Sequence, residues 1–101
     1  MRYLMKLSMP VEPFNSYVKD GSIGARMGKI MEVTRPEAAY FTAEGGTRGG
    51  TLVVNIDQAN QLPFLAEPWF IMFSAKVEFF PAMTPEDMGN SGLESLGKQW
   101  S

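Results

Sequence analysis

A glycine-rich tip, Gly45-Gly46-Thr47-Arg48-Gly49-Gly50, lies near the middle of the chain between two runs of strand-forming residues. Glycine reaches positive φ without steric cost, and tight turns between paired strands need that freedom. Residues 38–56 therefore read as a β-hairpin with arms 38–44 and 51–56. A central hairpin restricts the remaining chain, because its exposed edges and apolar face must be covered by whatever precedes and follows it.

The preceding segment supplies one strand and one helical stretch. Residues 2–9 alternate, with Tyr3, Met5, Leu7 and Met9 on one side and Arg2, Leu4, Lys6 and Ser8 on the other, and Pro10 ends the ladder. Residues 11–34 read as helical in two pieces. Phe14, Tyr17 and Val18 mark the first, and Asp20-Gly21 breaks it. Ser22 is placed to cap the second, whose stripe is Ile23, Met27, Ile30 and Met31, and Arg35-Pro36 ends it.

The following segment repeats the arrangement. Residues 57–66 read as a helix with Asp57 as N-cap, made irregular by Pro63 and ending at Glu67-Pro68-Trp69. Residues 71–80 contain the last strand, centred on Lys76-Val77-Glu78-Phe79-Phe80 and closed by Pro81. Thr84-Pro85-Glu86-Asp87 is a helix start, Ser91 with Glu94 repeats the capping pattern, and Leu93, Leu96 and Trp100 follow at helical spacing. Residues 1–83 thus form one domain and residues 84–101 a helical tail.

Strand, helix, strand, strand, helix, strand is the split βαβ order of a ferredoxin-like α+β fold. Right-handed crossovers then give a four-stranded antiparallel sheet with the first and third strands central. At 101 residues and 45% hydrophobic content, the chain has material for one such core.

Composition narrows the chemistry. The chain has neither cysteine nor histidine, which removes disulfides, thiolate sites, the commonest general base and the commonest metal ligand. The Glu86-Asp87 pair reads as helix capping, so no metal and no cofactor is expected. A net charge of −2, with no aromatic and basic pattern on the central strands, argues against a nucleic-acid partner. No stretch nears the ~20 apolar residues of a membrane span, and Lys6 interrupts the only stretch resembling a signal sequence. A cytoplasmic protein is expected. The tip around Thr47-Arg48 lacks the spacing of a phosphate loop and reads as a turn with one solvated arginine.

Strand alternation separates two sheet faces. One, with Tyr3, Met5, Leu7, Phe41, Leu52, Val54, Val77 and Phe79, packs under the helices. The other carries Leu4, Val53 and Phe80 among Lys6, Tyr40, Asn55 and Glu78. Large apolar residues on an uncovered face mark an association surface. Lys6, Tyr40, Asn55 and Glu78, with Trp69 at the turn into the last strand, are the candidate pocket-lining residues. A lysine and a glutamate can share a proton, and a tyrosine can orient a carbonyl or phenol. The same Lys6 and Glu78 also fit a cross-strand ion pair at an interface, and Trp69 also fits a core plug.

The element order, the length and the segment Leu65-Ala66-Glu67-Pro68-Trp69-Phe70 leading into Ala75-Lys76-Val77-Glu78-Phe79 resemble the dimeric α/β-barrel superfamily. Met27-Gly28-Lys29-Ile30, Pro36-Glu37-Ala38-Ala39-Tyr40-Phe41-Thr42 and Met83-Thr84-Pro85-Glu86-Asp87-Met88 resemble a small uncharacterised bacterial family within it. The resemblance implies a homodimer through the sheet face and a barrel interior able to take a small molecule. It assigns no catalytic residue, and the superfamily's histidine-dependent chemistry has no counterpart in this chain. Two functions follow: a dimer that binds or transforms a small organic molecule, or a non-catalytic module whose sheet face serves only for dimerisation.

Overall fold

A computed structural model describes residues Met1–Ser101. Strand β1 (Arg2–Met9) is followed by helices α1 (Val11–Asp20) and α2 (Ile23–Thr34), then by strands β2 (Ala38–Glu44) and β3 (Thr47–Asn55). Next come a 3-10 turn (Ala59–Gln61), helix α3 (Leu62–Phe73), strand β4 (Lys76–Pro81) and the short helices α4 (Pro85–Gly89) and α5 (Leu93–Gln99). The strands form one open antiparallel sheet in the order β2-β3-β1-β4. This α+β architecture is compatible with a ferredoxin-like fold, with β1 and β3 central as the crossover argument requires.

The hairpin turn is shorter than the glycine run suggests. Gly45 and Gly46 alone have positive φ, at 62° and 76°, and Glu44 already pairs with Thr47. Both central residues at positive φ match the twist of the flanking strands. Gly49 and Gly50 lie within β3 and serve close approach. A Cβ on Gly49 would meet the Leu7 carbonyl, and one on Gly50 would stand 2.7 Å from the Tyr40 carbonyl and 3.0 Å from the Phe41 ring. Arg48 is not a solvated tip residue. It is half-buried, with its guanidinium 4.3 Å from the centre of the Phe14 ring.

The α1–α2 break falls at Gly21, whose φ is 81°. Ser22 does not cap α2 with its hydroxyl. Asp20 Oδ1 accepts from the Ser22 N–H at 2.8 Å, while Ser22 Oγ accepts from Arg26 Nε at 2.9 Å. The expected helix at 57–66 is displaced toward the C-terminus, because burial outweighs the proline signal. Gln61 Oε1 accepts from the N–H groups of Asp57 and Gln58, so the side chain of Gln61 and not of Asp57 organises this start. Pro63 falls in the first turn of α3, where its missing N–H costs nothing. Pro68 lies inside the helix, yet the helix continues because Leu65, Ala66, Trp69 and Phe73 are all buried beyond and around it.

The core lies between one sheet face and the helices. It joins Met5, Leu7 and Met9 of β1, Leu52 and Val54 of β3, Ile30 of α2, and Leu65, Trp69 and Phe73 of α3. The Phe73 ring is the hub, 5.5 Å from Phe14, 5.7 Å from Tyr17 and 5.6 Å from Trp69, and Trp69 is 6.3 Å from Phe41. Phe41, which reaches Trp69, is the side chain that lies against Gly50. Beyond β4, Thr84 and Asp87 form the expected reciprocal cap at 3.0 Å each way. Ser91 does not cap α5. Its hydroxyl donates to the Met88 carbonyl at 2.6 Å, closing α4, and Gly92 precedes α5. No residue of α4 or α5 is buried.

Replacing Trp69 with Ala is expected to lower unfolding free energy by about 3–5 kcal/mol, and Gly50→Val by at least about 1–3 kcal/mol through overpacking. Urea denaturation of the two variants checks both values.

Candidate functional site

The strand register arranges the uncovered sheet face in parallel rows across all four strands. One row is apolar: Ala38 pairs with Val53, Val53 with Leu4, and Leu4 with Phe80. The adjacent row is polar: Tyr40 pairs with Thr51, Thr51 with Lys6, and Lys6 with Glu78. A third row, Thr42, Gly49, Ser8 and Lys76, is small or polar. Nothing in the chain covers these rows. Leu4, Tyr40 and Phe80 are all exposed, Tyr40 to 70%.

Three of the five candidate residues, Lys6, Tyr40 and Glu78, therefore share one row. Asn55 does not join them. It pairs with Arg2, four residues along β1 from Lys6, which is about 14 Å at ~3.4 Å per residue. Trp69 lies on the other side of the sheet. It is 0% exposed, in the core under α3, and its indole N–H meets no protein acceptor. Its neighbour Phe70 is partly exposed on α3. Helix α3 continues for four residues past Trp69, so this ring sits in mid-helix and not at a turn beside the open face.

Lys6 does not pair with the glutamate opposite it. Its ammonium donates to Glu44 at 3.1 Å, reaching across β3 beside Gly49, which presents no side chain there. Glu78 and Tyr40 take part in no side-chain hydrogen bond or ion pair within the chain. A shallow cleft of about 240 Å³ touches Lys6, Ser8, Glu44, Thr47, Gly49 and Glu78. It holds one ammonium between two carboxylates, only one of which is engaged. Glu44 shares the face of Tyr40 and Thr42 by strand alternation. Its meeting with Lys6 is a consequence of register.

In the row beyond the apolar one, Arg2 Nε donates to both carboxylate oxygens of Glu37, at 2.9 and 3.2 Å. The Arg2 hydrogen bond and charge hold the Glu37 carboxyl below its ordinary range, and Glu37 raises the Arg2 pKa in return. No three acidic side chains converge as a metal-ion group. No helix is long and apolar enough to cross a membrane.

A scan against models of protein families and a search of curated proteins both return no match for this chain.

The Glu37 shift has a definite sign. A depressed carboxyl pKa adds stability that is present above the unfolded-state pKa and is lost as pH falls through the folded-state value. NMR titration is expected to show Glu37 protonating below an ordinary glutamate, and Arg2→Met is expected to move it back up. An unchanged Glu37 titration in Arg2→Met would show that the pair does not persist in solution.

Proposed function

We propose that the chain is a homodimer of the dimeric α/β-barrel type, with two open sheet faces packed together, and that the polar row lines a cleft for a small organic molecule. The observation that carries this reading is the division of the uncovered face into adjoining apolar and polar rows. The apolar row of Ala38, Val53, Leu4 and Phe80 supplies the contact, since burying such residues against a second copy removes them from water. An isologous two-fold is the commonest arrangement for a self-complementary patch.

The polar row supplies the recognition. Lys6 offers a cation, Glu78 an unengaged carboxylate and Tyr40 an unengaged hydroxyl. Together they suit a small molecule with an apolar body and a carbonyl, phenol or carboxylate end. In a sheet-to-sheet dimer the surrounding water is excluded, which strengthens each of these contacts. Lys6 and Glu78 are then the pair able to give and take a proton, and neither metal nor nucleotide is needed.

Native mass spectrometry of the purified full chain is expected to show a dimer carrying a small stoichiometric adduct. Lys6→Ala and Glu78→Gln are expected to lose the adduct and keep the dimer. Leu4→Arg is expected to weaken dimerisation at least tenfold. A bare dimer that Lys6→Ala or Glu78→Gln weakens would instead favour an association-only role for the face. A monomer at micromolar concentration would overturn the barrel arrangement.

A further inference from the structure

The C-terminal arm, residues 82–101, is folded but touches almost nothing. Its helices α4 and α5 bury no residue, and Trp100 is 79% exposed at the far end. Leu93, Leu96 and Trp100 form one apolar stripe at i, i+3 and i+7. An isolated seven-residue helix has no stability of its own in water, so this stripe needs a surface to pack against.

The dimensions give the same result. A compact chain of this length has a radius of gyration near 13 Å, but this one reaches 17.1 Å and is 60 Å long. A compact monomer of 11.2 kDa exposes about 5,700 Å², whereas this chain exposes 6979 Å². The excess, about 1,300 Å², exceeds the ~800 Å² that each partner buries in a standard stable interface.

The same chain has a matching acceptor. A groove of about 600 Å³ on the helical side is lined by Tyr17, Arg26, Lys29, Phe64, Ile71 and Met72, among others. Phe64 and Ile71 are exposed there, Ile71 to 79%. Arg26 and Lys29 outnumber the one acid on this rim, Glu67, while the arm carries Glu86, Asp87 and Glu94 against Lys98 alone. Apolar stripe and apolar groove thus agree in character, and their flanking charges are opposite in sign. No packing of the arm on its own helices exists to satisfy either surface.

We infer that the arm is exchanged between two copies of this chain, the Leu93–Leu96–Trp100 stripe of one seating in the groove between α2 and α3 of the other. The stripe and the groove are independent of the open sheet face, so this inference does not rest on the barrel reading.

The absence of cysteine makes a direct test available. Full-length Leu96→Cys, isotopically heavy, is mixed with light Ile71→Cys and treated with a short bismaleimide. A heavy–light covalent dimer is expected in at least tenfold excess over the same reaction with Thr47→Cys, an exposed position at the hairpin. Equal yields for Ile71→Cys and Thr47→Cys would overturn the inference. So would a link confined to single chains in the dilute Leu96→Cys/Ile71→Cys double variant, because the arm would then fold back on its own groove.

A second measurement uses exposed residues whose replacement leaves the core untouched. In the Leu4→Arg background, where the sheet contact is lost, Leu96→Glu/Trp100→Glu is expected to weaken the remaining self-association at least tenfold with an unchanged urea midpoint under monomeric conditions, and undiminished association would overturn the inference. Leu4→Arg separates the two proposals: cross-linking that survives it while the sheet contact is lost supports arm exchange alone. Loss of self-association in Leu4→Arg, together with failed cross-linking between Leu96→Cys and Ile71→Cys chains that keep Leu4, overturns arm exchange and leaves only the sheet contact.

Discussion

The aromatic cluster around Phe73 is the contact on which the arrangement depends. Phe73 touches Phe14 and Tyr17 of α1 and Trp69 one turn away, and Trp69 reaches Phe41 on the edge strand β2. One helix thereby holds both the first crossover and the far edge of the sheet. Rings at these separations add to the burial of their own area. The cluster also explains why α3 runs through Pro68 and why Gly50 has no side chain. The proline removes one backbone hydrogen bond, and the buried face beyond it outweighs that loss.

Filling one side of the sheet in this way commits the other side to being open. All the helices that pack on the sheet lie on the Trp69 side, and the arm leaves the body without turning back. The four strands then present their remaining side chains in rows set by register. The apolar row and the charged row are neighbours because residues two apart on a strand share a face. The functional proposal follows from that adjacency of an apolar and a charged row on one sheet face.

Much of this was legible in the sequence. Alternation placed Met5, Leu7, Leu52 and Val54 inward and Leu4, Lys6 and Tyr40 outward, and burial follows that division. Pro10, Gly21 and Thr84-Pro85 mark real boundaries. Other signals were ambiguous because one residue type serves two purposes. Gly49 and Gly50 look like turn residues, yet they serve close packing within β3. Ser91 looks like a cap, yet it closes the preceding turn. Pro68 looks like a helix end, and local preference there gives way to the burial of Trp69 and Phe73.

For the candidate site, the sequence determined the face and the residue types, since period-two alternation is a local property of each strand. It also determined which side chains are absent, because the chain has neither histidine nor cysteine. Tertiary structure alone decided which of these groups meet. Register puts Lys6, Tyr40 and Glu78 in one row and moves Asn55 away from it. Register also turns Lys6 toward Glu44 on the edge strand, and the packing of α3 takes Trp69 into the core. Pairing between strands far apart in the chain is a long-range property, set by the whole core at once and not by any one segment.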